Sequence, residues 1–284
     1  MEDLENEKNI LVRTIPDPND YIRMLEVFHP LRESILRSAI EMLQLPAGSQ
    51  GLDAGCGIGL PSLLLAESVG PDGHVTGLDV SAAFLNYAKD VVEQAGLAEQ
   101  ISFREGNINH LPFANKTFDW VWSVDCAGYR TEDPLPLFRE LTRVIKPGGI
   151  LALLCWSSEK LLPGYPLLEA RLNTTAGGIA PFTMRMQPET HYLRTLKWMH
   201  EVGLTNATGH TVVGNVQAPL HQEIRQALFA LFQMRWAEAE SEVSQEVWRE
   251  YQRLCQPESP DCILDLPEYY AFFTYTMFYG KTTK

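Results

Sequence analysis

Three glycines, Gly55, Gly57 and Gly59, form a G-x-G-x-G turn within "GLDAGCGIGLPS" (residues 51–62), after an apolar run and ahead of a helical pattern. Such a turn presents backbone N–H groups to a nucleotide. A dinucleotide turn needs G-x-G-x-x-G, and the last of those positions is Leu60 here. Asp53 stands two residues ahead of the first glycine. A carboxylate there would repel a pyrophosphate, because anions favour the positive N-terminal end of the following helix. A ligand carrying an ammonium group would be attracted. The pattern fits a cationic nucleoside better than a pyrophosphate.

The elements that must hold this turn can be read from periodicity. "YIRMLEVFHPLRESILRSAIEMLQL" (residues 21–45) repeats apolar residues at helical spacing, and Pro30 predicts a break between two helices. Strands and helices then alternate. "GLDAGCG" starts as a strand and "LPSLLLAESV" is a helix; "GHVTGLDVS" is a second strand and "AAFLNYAKDVVEQAGL" a helix ending near Gly96. "ISFREGNI" and "FDWVWSVDC" are strands three and four, "LPLFRELTRVI" a helix, and "GGILALLCW" strand five. This alternation predicts an α/β, doubly wound, mainly parallel, Rossmann-like sheet with helices on both faces, its ligand outside the carboxyl ends of the strands.

The regularity fails after Trp156. Residues 157–189, with Pro163, Pro166, Gly177, Gly178 and Pro181, read as a loop-rich insertion. "ETHYLRTLKWMHEVGL" reads as a helix leading into the strand-like "ATGHTVVGNVQ". An acidic helical segment over 220–256 precedes the aromatic, alternating "EYYAFFTYTMFYGKTT", read as the last strand of seven. The expected organisation is an N-terminal cap (1–48), a nucleoside-binding core (49–156), a lid insertion (157–189), a core helix and strand (190–218), a helical insertion (219–268) and a final core strand (269–284). The lid is expected to combine 157–189 and 220–256 with the N-terminal helix bearing Tyr21 and Phe28, because long loops at a ligand edge are usually functional.

Composition narrows the function. The chain has 284 residues, is 45% hydrophobic and carries a net charge of -13, which argues against nonspecific nucleic-acid binding. "MEDLENEKN" is acidic and lacks the apolar run of a secretory signal, and "ILALLCW" is too short to span a bilayer. Five cysteines, odd in number and irregularly spaced, read as free thiols of a reducing compartment. These features predict a cytoplasmic protein with no membrane span.

On "LDAGCGIG", "VTGLDVS", "REGNINHLPFANKTFDWVWS" and "RELTRVIKPGGIL", the chain resembles the class I S-adenosylmethionine-dependent methyltransferases, in particular their ubiquinone/menaquinone-biosynthesis-like branch. The resemblance covers about residues 49–156. It implies S-adenosyl-L-methionine as cofactor, S-adenosyl-L-homocysteine as product, a small-molecule methyl acceptor and no metal. It implies cofactor contacts from Tyr21, Asp53, Ala54, Gly55, Cys56, Gly57, Asp79, Val80, Asn107, Ile108 and Ser123. Asp53 and the glycines would hold the methionine end, and Asp79 both ribose hydroxyls, since a carboxylate makes strong bonds to such donors. At the adenine position the family often has an acid where this chain has Asn107, whose amide oxygen can accept the same bond.

Methyl transfer depends mainly on alignment, with a base only where the nucleophile carries a proton. Asp125 and Tyr129, after the fourth strand, are the expected catalytic residues; His29 and His110 are further candidates. Trp236, Trp248, Tyr251, Tyr269 and Tyr270 suggest an enclosed aromatic pocket. One alternative is methylation of a metalloid of the arsenite type, because Cys126 and Cys155 are expected to follow adjacent strands and thiolates bind soft elements. Others are a non-catalytic cofactor-binding protein and a dehydrogenase, the last opposed by the G-x-G-x-G spacing and Asp53. Monomer and homodimer are both compatible with the sequence.

Overall fold

The computed structural model describes residues 17–128, 133–179 and 187–283. Helix α1 spans Pro18–Leu43, started by Asp17, whose side chain accepts the Asn19 N–H at 2.8 Å. Pro30 does not break it, contrary to expectation. An interior proline costs about 3 kcal/mol. Leu31, Ile35, Leu36 and Ala39 are almost completely buried beyond it, and each large side chain so buried contributes roughly 1.5–3 kcal/mol. The apolar face outweighs the proline.

Then follow β1 (Gln50–Ala54), α2 (Leu60–Val69), β2 (His74–Asp79), α3 (Ala82–Gln94), β3 (Ile101–Glu105), β4 (Phe118–Val124), α4 (Leu135–Arg143) and β5 (Ile145–Lys160). After β5 come α5 (Pro166–Leu172), α6 (Ala176–Ile179), α7 (Thr195–Glu201), β6 (Thr205–Gln217), α8 (Gln222–Trp236), α9 (Gln245–Cys255) and β7 (Tyr270–Lys281). The sheet runs β3-β2-β1-β4-β5-β7-β6, parallel from β3 to β5 and antiparallel at β7. The chain winds outward from β1 to β3 and returns to β4, so the crevice between the ends of β1 and β4 is the switch point where such sheets take their ligands.

Two details differ from the sequence reading. Strand β5 continues past Trp156 to Lys160, where Ser158, Glu159 and Lys160 pair with Thr274, Phe273 and Phe272 of β7. The polar run "SSEK" has no strand signature of its own; a partner more than a hundred residues away makes it one. The helix expected from residue 189 is divided into 3-10 turns at Pro188–Thr190 and Tyr192–Arg194, with α7 following.

Apolar cores fill both faces of the sheet. One gathers α1, α2, α8 and α9 over Trp120, Trp122, Trp156, Phe273, Tyr275 and Met277; the other packs α4 and α7 on Leu52, Val121 and Leu153. The sequence reading expects Trp236, Trp248 and Tyr251 to line an enclosed aromatic pocket. They pack on one another instead, Trp248 stacking on Tyr251 at 4.9 Å and Trp236 meeting it edge-on at 6.3 Å. Tyr269 is buried and Tyr270 is exposed.

Candidate functional site

The glycine turn is built by backbone geometry. Gly55 and Gly57 have φ of 80° and 54°, in the left-handed region, which glycine enters without steric cost. Gly55 and Cys56 donate their N–H groups to the Leu78 carbonyl at 2.8 and 3.0 Å, tying the turn to the end of β2. A Cβ on Gly55 would lie 2.3 Å from Sγ of Cys126, so the loops after β1 and β4 touch there. Over Gly57 the space is open except for Leu25 of α1, whose Cδ1 would lie 4.0 Å from such a Cβ.

Asp79 closes β2. Its Oδ2 accepts the Gly57 N–H and its Oδ1 the Ser81 N–H, both at 3.0 Å. Each oxygen of an ionised carboxylate keeps accepting capacity after one such bond. The adjoining Val80 is 65% exposed, a large apolar side chain with nothing over it. Asn107 is exposed, its amide oxygen accepting from the Asn109 N–H at 2.9 Å and side-chain amide at 3.0 Å. Ile108 is half-buried against the second core.

Deeper in the crevice, Asp53 is completely buried. Its Oδ2 accepts the Ser62 hydroxyl at 2.7 Å, while its Oδ1 has no hydrogen-bond partner among the described residues. Burial raises this carboxyl from 3.8 to about 7, against the opposing Ser62 bond. Ser123 gives its hydroxyl to the Ala54 carbonyl at 2.7 Å and accepts the Ala127 N–H at 3.1 Å. Its hydroxyl thus staples β1 to the loop after β4. Cys56 is buried, which pushes its thiol far up.

Helix α1 crosses above these groups. Tyr21 stacks on Phe84 of α3 with centroids 5.6 Å apart, and Tyr87 of α3 donates to Glu26. Further along, Arg32 is 6% exposed and places Nη1 3.5 Å from Oδ2 of Asp125. Asp125 has a φ of 49°, rare for a non-glycine residue. Its Oδ1 accepts the Trp156 N–H at 3.0 Å and its Oδ2 the Tyr275 hydroxyl at 2.9 Å. Burial, and then the neighbouring carboxylate, push the Tyr275 phenol well up. Asp125 therefore ties together four elements. Tyr129 lies outside the described residues.

Sequence reasoning did not find Arg32, Trp156 or Tyr275. The one legible signal was Arg32 itself, four residues after Phe28 and three before Ile35 on the apolar face of α1.

Soft-metal chemistry has no support here. Burial raises the Cys126 thiol to about 12, and Cys155 sits buried inside β5 rather than after it. Among the described residues no group of three His, Cys, Asp or Glu is placed to hold a metal. His29 is lowered to about 4 by burial and then by Arg32, while His110 takes part in the backbone bridge to Asn107.

Residues 52–149, from β1 into β5, match a family model described as a methyltransferase domain. These residues form a methyltransferase domain. The chain is 35% identical to methyltransferase GfsG of Streptomyces halstedii over 138 residues, 49% of this chain and 47% of that protein. It is 34% identical to the demethylmenaquinone methyltransferase of Listeria welshimeri over 129 residues, 45% of this chain and 53% of that one. The chain thus spans about half the length of the curated relatives it matches.

Among solved structures, a methyltransferase from Aquifex aeolicus superposes with a TM-score of 0.51 at 23% identity, covering 69% of this chain and 92% of its own. The phospholethanolamine N-methyltransferase 2 of Haemonchus contortus gives 0.58 at 16% identity, covering 97% of this chain and 60% of its own. At these identities the likeness is one of fold.

S-adenosyl-L-methionine is the cofactor that the sequence resemblance implies, and the residues fit it. The orphaned oxygen of Asp53 suits an ammonium, the space over Gly57 admits a ligand close to the backbone, Asp79 has accepting capacity for hydroxyls, and Val80 is bare for an aromatic ring.

Proposed function

We propose that the chain is an S-adenosylmethionine-dependent methyltransferase acting on a small molecule, with S-adenosyl-L-homocysteine as product. The observation that carries this reading is the convergence of Asp53, Gly57 and Asp79 at the switch point, inside a methyltransferase domain. When bound, the cofactor supplies a methyl group already activated on a sulfonium.

The work left to the protein is positioning and exclusion of water. Asp79 holds the ribose hydroxyls, Val80, Asn107 and Ile108 flank the adenine, and Asp53 with the backbone of Ala54 to Gly57 receives the methionine end. Ser123 holds β1 and the loop after β4 in register. Tyr21 and the rest of α1 cover the crevice and join the insertions 157–189 and 220–256 as a lid. Asp125 acts as an orienting group rather than as a base, because both of its oxygens are committed to donors. Alignment of acceptor with methyl is then the main source of rate.

The acceptor is a small molecule, not nucleic acid, since the charge of -13 is unsuited to a polyanion. A cytoplasmic monomer or homodimer agrees with five free cysteines and with the finding that no described helix is long and apolar enough to cross a membrane. The deciding experiment is turnover of labelled S-adenosyl-L-methionine by the full chain against a metabolite extract, read by mass spectrometry. Enzyme-dependent appearance of labelled product supports the reading; cofactor binding without turnover over a broad extract would make the chain a binding protein.

A further inference from the structure

Two buried polar atoms of the crevice have no hydrogen-bond partner among the described residues: Oδ1 of Asp53, an acceptor, and Nε of Arg32, a donor. Asp53 is 0% and Arg32 6% exposed. A buried polar group left unpaired is costly, and native proteins rarely leave one so. Two of opposite kind in one crevice call for one ligand that answers both.

Their placement follows from helix geometry. Leu25 and Arg32 are seven residues apart in α1, hence on one helix face. Leu25 of that face stands over Gly57. Arg32 therefore looks toward the same crevice from two turns further along, where it meets Asp125 at the end of β4. Its guanidinium is close enough to Asp53 to pull that carboxyl down against the effect of burial. Nη1 is given to Asp125, which leaves the Nε edge of a planar fork shaped for a carboxylate.

A zwitterionic α-amino acid group matches this arrangement, its ammonium donating to Asp53 and its carboxylate accepting from Arg32. The methionine moiety of the cofactor ends in such a group. We propose that Arg32 holds the carboxylate of the cofactor's methionine end, and that this contact, made from α1, fastens the helix over the bound cofactor. The proposal rests on the cofactor reading above. It gives α1 a chemical reason to close, because the residue that completes the site travels on the element that covers it. Arg32 is a binding residue here, with no part in the methyl transfer itself.

The test is calorimetric binding to the full chain with two probes: S-adenosyl-L-homocysteine, and 5′-methylthioadenosine, which keeps the nucleoside and thioether but lacks the amino-acid group. Arg32→Met is expected to weaken S-adenosyl-L-homocysteine at least tenfold, the scale of one lost charge-assisted bond. It should leave 5′-methylthioadenosine within about twofold of wild type. A merely structural role would weaken both probes alike, and either that result or unchanged S-adenosyl-L-homocysteine affinity overturns the proposal. Should Arg32→Met fail to fold, wild type is compared with S-adenosyl-L-homocysteine and its decarboxylated analogue. Equal binding of those two overturns the proposal as well. Failure of wild type to bind any of these nucleosides would sink the cofactor reading instead.

Discussion

Arg32 and Tyr275 meet the same oxygen of Asp125, the guanidinium at 3.5 Å and the hydroxyl at 2.9 Å. One carboxylate thus joins the N-terminal helix to the last strand of the sheet, at the edge where β4 delivers its loop to the crevice. Removing one member of a buried charge pair leaves the other uncompensated. Asp125→Asn is expected to lower stability by about 3 kcal/mol, and Tyr275→Phe, which strands no charge, by about 1 kcal/mol. Urea unfolding of both variants checks the order. A larger loss for Tyr275→Phe would show that the ion pair is not the stronger tie.

Asp79 spends one bond per oxygen on its own backbone, to Gly57 and Ser81. Asp79→Ala is expected to weaken S-adenosyl-L-homocysteine by roughly 2–4 kcal/mol, two charge-assisted bonds partly compensated by water. Calorimetry reads this directly, and undiminished affinity would remove Asp79 from the ribose.

The carboxyl of Asp53 sits at about 7 in the folded chain against 3.8 for an ordinary one, because burial disfavours its charge. Between these values the folded state binds a proton that the unfolded chain has released, so stability falls as pH rises. The ligand-free protein is expected to be most stable with respect to this group below pH 3.8, to lose that advantage as pH rises to about 7, and to level off above. Asp53→Asn, which carries no charge, should flatten this part of the profile. Thermal unfolding across the range measures the difference, and parallel wild-type and variant curves would contradict it.

Tyr21 on Phe84, Leu25 over Gly57 and Arg32 on Asp125 lay α1 across the crevice. Hydrogen exchange is expected to slow in the glycine turn and in α1 around Tyr21 when S-adenosyl-L-homocysteine is added. Protection confined to the glycine turn, with α1 and the insertions 157–189 and 220–256 unchanged, would rule out a lid.

Much of the parallel half was legible because its signals are local. The glycine spacing, Asp79 at a strand end and the apolar helical run "LPSLLLAESV" after the turn are set by residues within a few positions of one another. What stayed hidden was made by distant partners. Nothing in "SSEK" marks a strand until β7 lies beside it. Pro30 marks a break until the buried face of α1 is counted. Asp125 reads as a free base because its hydroxyl partner lies 150 residues away in the chain.

The position of β7 has a consequence for synthesis. It lies between β5 and β6, so β5 borders an open edge until the last strand is inserted. A ribosome releases the glycine turn, Asp79 and Asp125 long before Tyr275 exists. The nascent half-sheet must wait with a long, apolar and unpaired strand, the kind of surface that invites wrong partners. Chains interrupted before residue 270 would therefore carry every residue proposed above to bind the cofactor and still be bound for aggregation or proteolysis.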